Sequence, residues 1–263
     1  MKPLKPIPLE KILFSQGFGT RRHCSNLIFA ELVKVNGNTV DDPDTLCSTE
    51  NLSLEVEGVN WSYHEKAYLA FHKPPHYECS HKTKHHPSVF TLLPIPLIER
   101  GVQCVGRLDQ DTTGLLLLSD DGQFIHQMTT PKKNIGKVYR IKTAEIIQED
   151  QIKNLLNGVI LDDDPKPCFA THCVQLEEQK LEMTIVEGRY HQVKRMLAAV
   201  GNHVEQLHRQ AIGNYVLPQD LKEGQWQWLS EKDIMIFIVA KKTKSNILNI
   251  HDVKNPCPSK IHD

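Results

Sequence analysis

The stretch CVGRLDQDTTGLLLLSDDG, residues 104–122, sets an arginine, two acids and two threonines ahead of a glycine and four consecutive leucines. Four leucines in a row leave no polar face, so residues 114–119 are predicted to form a strand buried on both sides. Asp109 then stands on the loop entering that strand, where a stiff scaffold presents a side chain to a cleft. Gly114 lets another stretch of backbone come close at the strand's start. A carboxylate from which water is excluded needs a cation nearby to stay ionised. Taken alone, Asp-x-Asp-Thr-Thr-Gly is also the pattern of a simple Asx-type turn.

Around this segment the pattern is one of short strands and a few helices. YLAF is a strand, followed by a long polar loop, HKPPHYECSHKTKHHPSV, that leads to FTLLP. GQFIHQMTT fits a helix ended by Pro131. GKVYRIKTA, THCVQLEEQ and LEMTIVEG alternate as strands do; HQVKRMLAAVG reads as a helix stopped by Gly201, and HVEQLHRQAIG as a returning strand. The mixture predicts an α+β domain with a mixed, largely antiparallel sheet and flanking helices over residues 67–240. From Lys241 onward periodicity is lost, and residues 241–263 are expected to be a mobile tail.

The first 60 residues read as a separate unit. Leu9, Ile12 and Leu13 share one helical face, with Gly17 as the stop. Thr20 can cap a second helix whose Cys24, Leu27 and Ile28 face inward. Asn36-Gly37 suits a hairpin turn with positive φ at both central residues, and residues 61–66 are expected to be a linker. Arg21 and Arg22 occupy the first turn of the second helix, where the dipole disfavours cations by a few tenths of a kcal/mol. A bound phosphate reverses that argument.

Composition narrows the classes. Hydrophobic residues make up 40% of the 263, enough for a real core, and no apolar run reaches the length of a membrane span. Seven cysteines without regular spacing suit free thiols in a reducing cytoplasm. The net charge of −1 is unevenly spread. Residues 1–37 hold six bases against Glu10 and Glu31; residues 38–60 hold six acids and no base. Residues 131–142 carry Lys132, Lys133, Lys137, Arg140 and Lys142 with no acid. Segregation of this kind gives basic faces to a neutral protein. His72, His76, Cys79, His81, His85 and His86 crowd one loop, but neither they nor CFATHC (168–173) have zinc-ligand spacing, so no metal is expected.

The order HKPPHYECS, VGRLDQDTTGLLLLSDDG, KVYR and EGRYHQVKRMLAAVGNHVEQLHRQAIG resembles the pseudouridine synthases that modify ribosomal RNA. Specifically, it resembles the branch with an N-terminal RNA-binding "αL" module, as found in a ribosomal small-subunit protein and in tyrosyl-tRNA synthetases. His191 and Lys194 in GRYHQVKRM are closest to the type acting on small-subunit (16S) rRNA. The resemblance implies that Asp109 is the catalytic aspartate. It further implies that Arg107 helps fill the stack or hold the flipped nucleotide, that Tyr139 packs on the uracil, and that Lys194 pairs with the carboxylate. Arg195 is the alternative for that last role, and Leu207 is a pocket wall. Arg21, Arg22, Lys34, Lys132, Lys133, Lys137, Arg140, Arg189 and Arg195 are the expected RNA contacts.

The implied reaction breaks the bond from N1 to the ribose, turns the ring and rejoins it through C5. It transfers no group elsewhere and involves no redox change, so no cofactor is expected. The expected partner is 16S rRNA or a small-subunit assembly intermediate, met by a cytoplasmic monomer without membrane association. Two alternatives stay open: the same chemistry on large-subunit (23S) rRNA, and a non-catalytic rRNA-binding assembly factor.

Overall fold

The computed structural model describes residues 5–162 and 164–239. The expected mobile tail, residues 241–263, lies outside the described residues.

The N-terminal unit begins with β1 (Ile7–Pro8), α1 (Leu9–Gln16) and α2 (Arg21–Phe29). The strands β2 (Val33–Val35), β3 (Asn38–Thr39), β4 (Leu46–Cys47), β5 (Ser53–Val56) and β6 (Val59–Ser62) follow. Thr20 caps α2 as its sequence position predicts, its hydroxyl accepting from the His23 amide at 3.2 Å. Leu9, Ile12, Leu13, Cys24, Leu27 and Ile28 pack on Val33, Leu54 and Val56 in a core of their own. β6 pairs with β5 from Val56↔Val59 to Ser53↔Ser62, so the small sheet runs two residues past the boundary expected at 60.

The segment after β6 is clamped rather than free. The Gln16 side-chain oxygen accepts from Trp61 Nε1, the His64 amide and Arg100 Nη1, at 3.1–3.2 Å. Arg100, almost wholly buried, holds Asp120 at 2.7 Å and donates to the His64 and Glu65 carbonyls. At Gly17 a Cβ would lie 2.0 Å from the Pro96 carbonyl oxygen, so the two units meet backbone to backbone.

The large unit comprises β7 (Tyr68–Lys73), α3 (Ile95–Glu99), β8 (Gln103–Val105), β9 (Thr113–Ser119), α4 (Gly122–Thr129) and β10 (Lys137–Thr143). Next come α5 (Glu149–Asn157), β11 (Val159–Leu161), β12 (Asp164–Cys168), β13 (His172–Glu177), β14 (Lys180–Ile185) and α6 (Gln192–Ala199). β15 (Val204–Ile212), β16 (Tyr215–Val216), β17 (Trp226–Trp228) and α7 (Glu231–Val239) complete it. Nine strands form one sheet in the order β13-β14-β10-β15-β9-β7-β17, with β16 on β15 and β8 on β9. All its pairings are antiparallel except β9 with β15, where Thr113 faces His208 and Gly114 faces Arg209. Fold class is therefore α+β with a mixed, largely antiparallel sheet.

Leu115–Leu118 are fully buried. Leu116 and Leu118 join the core beneath α5 and α6, while Leu115 and Leu117 join the one shared with Phe124, Met128 and Phe237 of α4 and α7. Each such leucine contributes about 1.5–3 kcal/mol. This strand is the rigid support on which the preceding loop hangs.

Candidate active site

Residues 106–112 form the loop between β8 and β9. Lys73, at the end of β7, is fully buried and donates its ammonium protons to the carbonyls of Pro74 (2.9 Å), Gln110 (3.0 Å) and Thr112 (2.9 Å). Two of those carbonyls belong to the loop itself. The same loop is gripped by the His76 amide on the Gln110 carbonyl and by a turn from the Thr112 amide to the Asp109 carbonyl. At its far end Gly114 adopts φ +104°, and its backbone touches that of Arg209.

Asp109 is half-buried. His191 Nε2 lies 3.3 Å from its Oδ1, and Lys194 Nζ lies 3.6 Å from its Oδ2. His191, just before α6, has the left-handed backbone φ 48°, ψ 32°, and its ring stacks on Tyr190 at 3.8 Å. That conformation costs a non-glycine residue about 1–2 kcal/mol and is one of the strained forms found at functional sites. The Lys194 hydrogen bonds go to Asp111, with both carboxylate oxygens at 2.7 Å. Burial pushes the Asp111 carboxyl up, but the bond and charge of Lys194 outweigh it and hold the group below the usual carboxylate range.

Beside Asp109 opens a cavity of about 900 Å³, a size that accommodates a nucleotide. Tyr139, almost wholly buried, is in its wall, together with Leu207, Ile185, Lys137 and Arg209. These residues sit on the neighbouring strands β14, β10 and β15, where Tyr139 pairs with Met183 on one side and Arg209 on the other. Exposed Arg107 completes the rim. The structure thus brings Asp109, Arg107, Tyr139, Lys194 and Leu207, from four separate segments, to one place.

Several basic residues have other engagements. Lys137 does not extend to solvent: its amine donates to the Ile135 and Val186 carbonyls at 2.9 and 3.4 Å, and burial, helped by the Arg209 charge, pushes it down to about 8. Arg189 is partly exposed but engaged by its neighbours. It pairs with Glu187 at 2.7 Å and Asp164 at 3.0 Å and donates to the Lys166 and Pro167 carbonyls. Both were expected to meet phosphates; the donors of Lys137 are turned inward, and those of Arg189 are taken up by groups of the protein. Arg195 donates to the Tyr190 carbonyl at 3.1 Å.

Lys34, Arg140 and Lys142 pair on the surface with Glu55, Glu182 and Glu205. Exposed pairs of this kind are worth about 0–1 kcal/mol, so a phosphate can displace them. Arg21 lies over the Phe14 ring at 5.1 Å, and Arg22, Lys132 and Lys133 are exposed. The loop histidines disperse: His81 stacks on Phe90, His72 Nδ1 meets the Leu221 carbonyl, and His76 lies 6.2 Å from His86.

Sequence reasoning missed Lys73, Asp111 as the partner of Lys194, and Arg209. A signal existed for Arg209: alternation in HVEQLHRQAIG puts it on the inward face with Leu207 and Ala211. Lys73 ends an apolar strand, which marks it only weakly.

Two family models match the chain: "RNA pseudouridylate synthase" over residues 67–199 and "S4 domain" over residues 7–52. A curated relative from Vibrio parahaemolyticus, "Ribosomal small subunit pseudouridine synthase A", is 36% identical over 228 residues, covering 86% of this chain and 97% of the relative. Its counterpart from Escherichia coli is 39% identical over 171 residues, 65% of this chain and 74% of that one. A solved structure described as "Crystal structure of pseudouridylate synthase" aligns with a TM-score of 0.63 and 33% identity, over 88% of this chain and 99% of that one. With its fold and both modules matched over most of its length, the chain belongs to the RNA pseudouridylate synthase family.

Proposed function

We propose that this enzyme converts a uridine of small-subunit (16S) ribosomal RNA to pseudouridine, with Asp109 as the catalytic carboxylate. One observation carries the assignment of roles: an acid at a nucleotide-sized cavity, flanked by an ammonium and an imidazole yet hydrogen-bonded to neither, with a tyrosine in the same wall. The two curated relatives described above, both designated small-subunit synthases, support the substrate.

A base inside folded RNA must be flipped out, at a cost of a few kcal/mol. Stacking on Tyr139 returns about 1–3 kcal/mol of it, and Arg107 at the rim fills or braces the vacated stack. Asp109 then acts on the ribose, as a nucleophile at C1′ or as a base; both roles need hydrogen-bond reach of the sugar. The N1–C1′ bond breaks, the uracil turns, C5 bonds to C1′, and the C5 hydrogen leaves as a proton while N1 gains one. These atoms balance without a redox partner. Lys194 keeps the carboxylate in a field of positive charge, and the His191 ring stands at its other oxygen.

Arg21, Arg22, Lys132, Lys133 and Arg140 are the proposed phosphate contacts, with Lys34 able to exchange Glu55 for RNA. Among the described residues no helix is long and apolar enough to cross a membrane; a ribosomal RNA substrate supports work in the cytoplasm.

The test is Asp109→Asn on 16S rRNA transcripts, read by pseudouridine mapping and by RNA affinity. Loss of all modification with affinity within about two-fold is the expected result, since the substitution removes the reactive charge and leaves the fold and the basic surfaces intact. Modification that persists in the variant refutes the role of Asp109. Modification found in 23S rather than 16S transcripts refutes the substrate.

A further inference from the structure

Arg209 is 3% exposed, yet its charge has no anionic partner. Nε donates to the Leu115 carbonyl at 2.7 Å. Nη2 is sealed from solvent with no acceptor. Among the described residues no carboxylate lies within ion-pair distance of the group. The nearby thiol of Cys79 is drawn below its ordinary value, first by the Cys104 thiol and last by Arg209 itself. A guanidinium buried without an anionic partner is destabilising unless an acceptor arrives from outside.

Its position says which acceptor. Arg209 is the cross-strand partner of Tyr139, so both side chains project from the same face of the sheet into the cavity wall. Lys137, two residues before Tyr139 on the same strand, lines the cavity as well. Arginine and a protonated lysine offer donors and no acceptor. The ribose of a flipped nucleotide must stay within reach of Asp109, which keeps its phosphates towards the more exposed rim. The deep wall beside Tyr139 therefore meets the edge of the base. Uracil presents carbonyl oxygens at positions 2 and 4, whereas cytosine carries an amino group, a donor, at position 4.

We propose that Arg209 reads the position 4 carbonyl of the flipped pyrimidine and thereby selects uracil over cytosine. A cytosine sets donor against donor in a buried site, and a buried donor left unpaired keeps its desolvation penalty uncompensated. The inference rests on the pseudouridine-synthase reading of the cavity and adds the device by which that cavity recognises its base.

The experiment uses the full-length chain and an RNA fragment spanning a uridine that the wild-type enzyme has been mapped to modify. Failure of the wild-type enzyme to modify that fragment counts against the functional reading. Base selection is measured separately, as equilibrium affinity in an Asp109→Asn background, for fragments with uridine or cytidine at the target position. The cytidine fragment is expected to bind about ten-fold or more weakly. Equal binding of the two overturns the proposal, whether or not any Arg209 variant folds. Adding Arg209→Met is expected to shrink the gap to about two-fold, through loss of affinity for the uridine fragment and relief of the donor–donor conflict for the cytidine fragment. Arg209→Lys, which keeps a donor and the apolar stem, is expected to retain most of the gap. Equal weakening towards both fragments in an Arg209→Met protein with wild-type melting overturns the proposal, since the guanidinium then serves a phosphate or the fold.

Discussion

Adding a methyl group to Gly114 tests whether the contact between β9 and β15 fixes the site. A Cβ there would sit 2.3 Å from the carbonyl oxygen and 2.7 Å from the nitrogen of Arg209. Its φ of +104° also lies where L residues are strained. The conformational term is about 1–2 kcal/mol, and forcing a methyl into filled space adds about 1–3 kcal/mol. Neither atom belongs to a side chain that can swing away. Gly114→Ala is therefore expected to lose about 3 kcal/mol, a fall of about 6–12 °C in Tm for a protein of this size. Gly37→Ala separates the two contributions: its φ is +87°, but nothing lies within 4 Å of the added atom. That control is expected to lose only the conformational part, about 1–2 kcal/mol, and to keep full turnover.

Activity is the sharper readout. Relieving the clash moves the strands apart by about 1 Å, and a misplacement of that size costs about a hundred-fold in rate. The displacement falls between Asp109, carried by β9, and Tyr139, carried by β10 on the far side of β15. Single-turnover release of tritium from RNA labelled at C5 of uridine measures the chemical step. A Gly114→Ala protein that melts within 2 °C of wild type and reacts within about two-fold of it would refute the reasoning.

Lys73→Met removes the donor from three carbonyls at once. The expected loss is about 2–3 kcal/mol in urea unfolding, less than three full penalties because a buried charge is relieved as well, with turnover falling more than RNA affinity. Asp111→Asn is expected to lose about 0.5–1 kcal/mol at pH 7, since the pair is partly exposed. The folded protein holds the Asp111 carboxyl below its ordinary value, so this contribution is complete above about pH 4 and vanishes as pH falls through the folded value; the gap in urea midpoints between variant and wild type is expected to close on acidification. Arg21→Ala with Arg22→Ala is expected to weaken RNA binding about ten-fold at low salt and to flatten the salt dependence of log K by about 1–2, with the saturated single-turnover rate unchanged. An equal fall in rate contradicts that division of labour.

What the sequence made legible follows from how local each signal is. Four leucines, a Thr cap and an Asn-Gly turn act over a few residues, and the buried strand, α2 and the first hairpin appear where those signals put them. The meeting of Asp109, Tyr139 and Leu207 came from a motif order, not from periodicity. Neither source could place a proton donor in three dimensions. Lys137 and Arg189 stand in basic or motif-bearing segments, and only the packing of Val186 against β10 and of β12 against the Arg189 loop takes up their donors. Lys73 was invisible for the same reason: a lysine at a strand end is ordinarily solvated, and its burial depends on carbonyls 37 and 39 residues away.

The two lysines around the site explain why an acid precedes so apolar a strand. Lys73 bonds only carbonyls, so it fixes the loop without approaching Asp109 closely enough to bond it. Lys194 gives its hydrogen bonds to Asp111, whose carboxylate occupies the ammonium that Asp109 would otherwise capture. Asp109 is left at 3.3 and 3.6 Å from His191 and Lys194, beyond the 2.7–3.2 Å of a good hydrogen bond yet well inside the range of charge attraction. An acid in that position keeps both oxygens open to a ribose. A direct bond to Lys194 would have to break before Asp109 could react. The second carboxylate of the Asp-x-Asp pair spares the first that step, and the leucine strand keeps the separation between them constant.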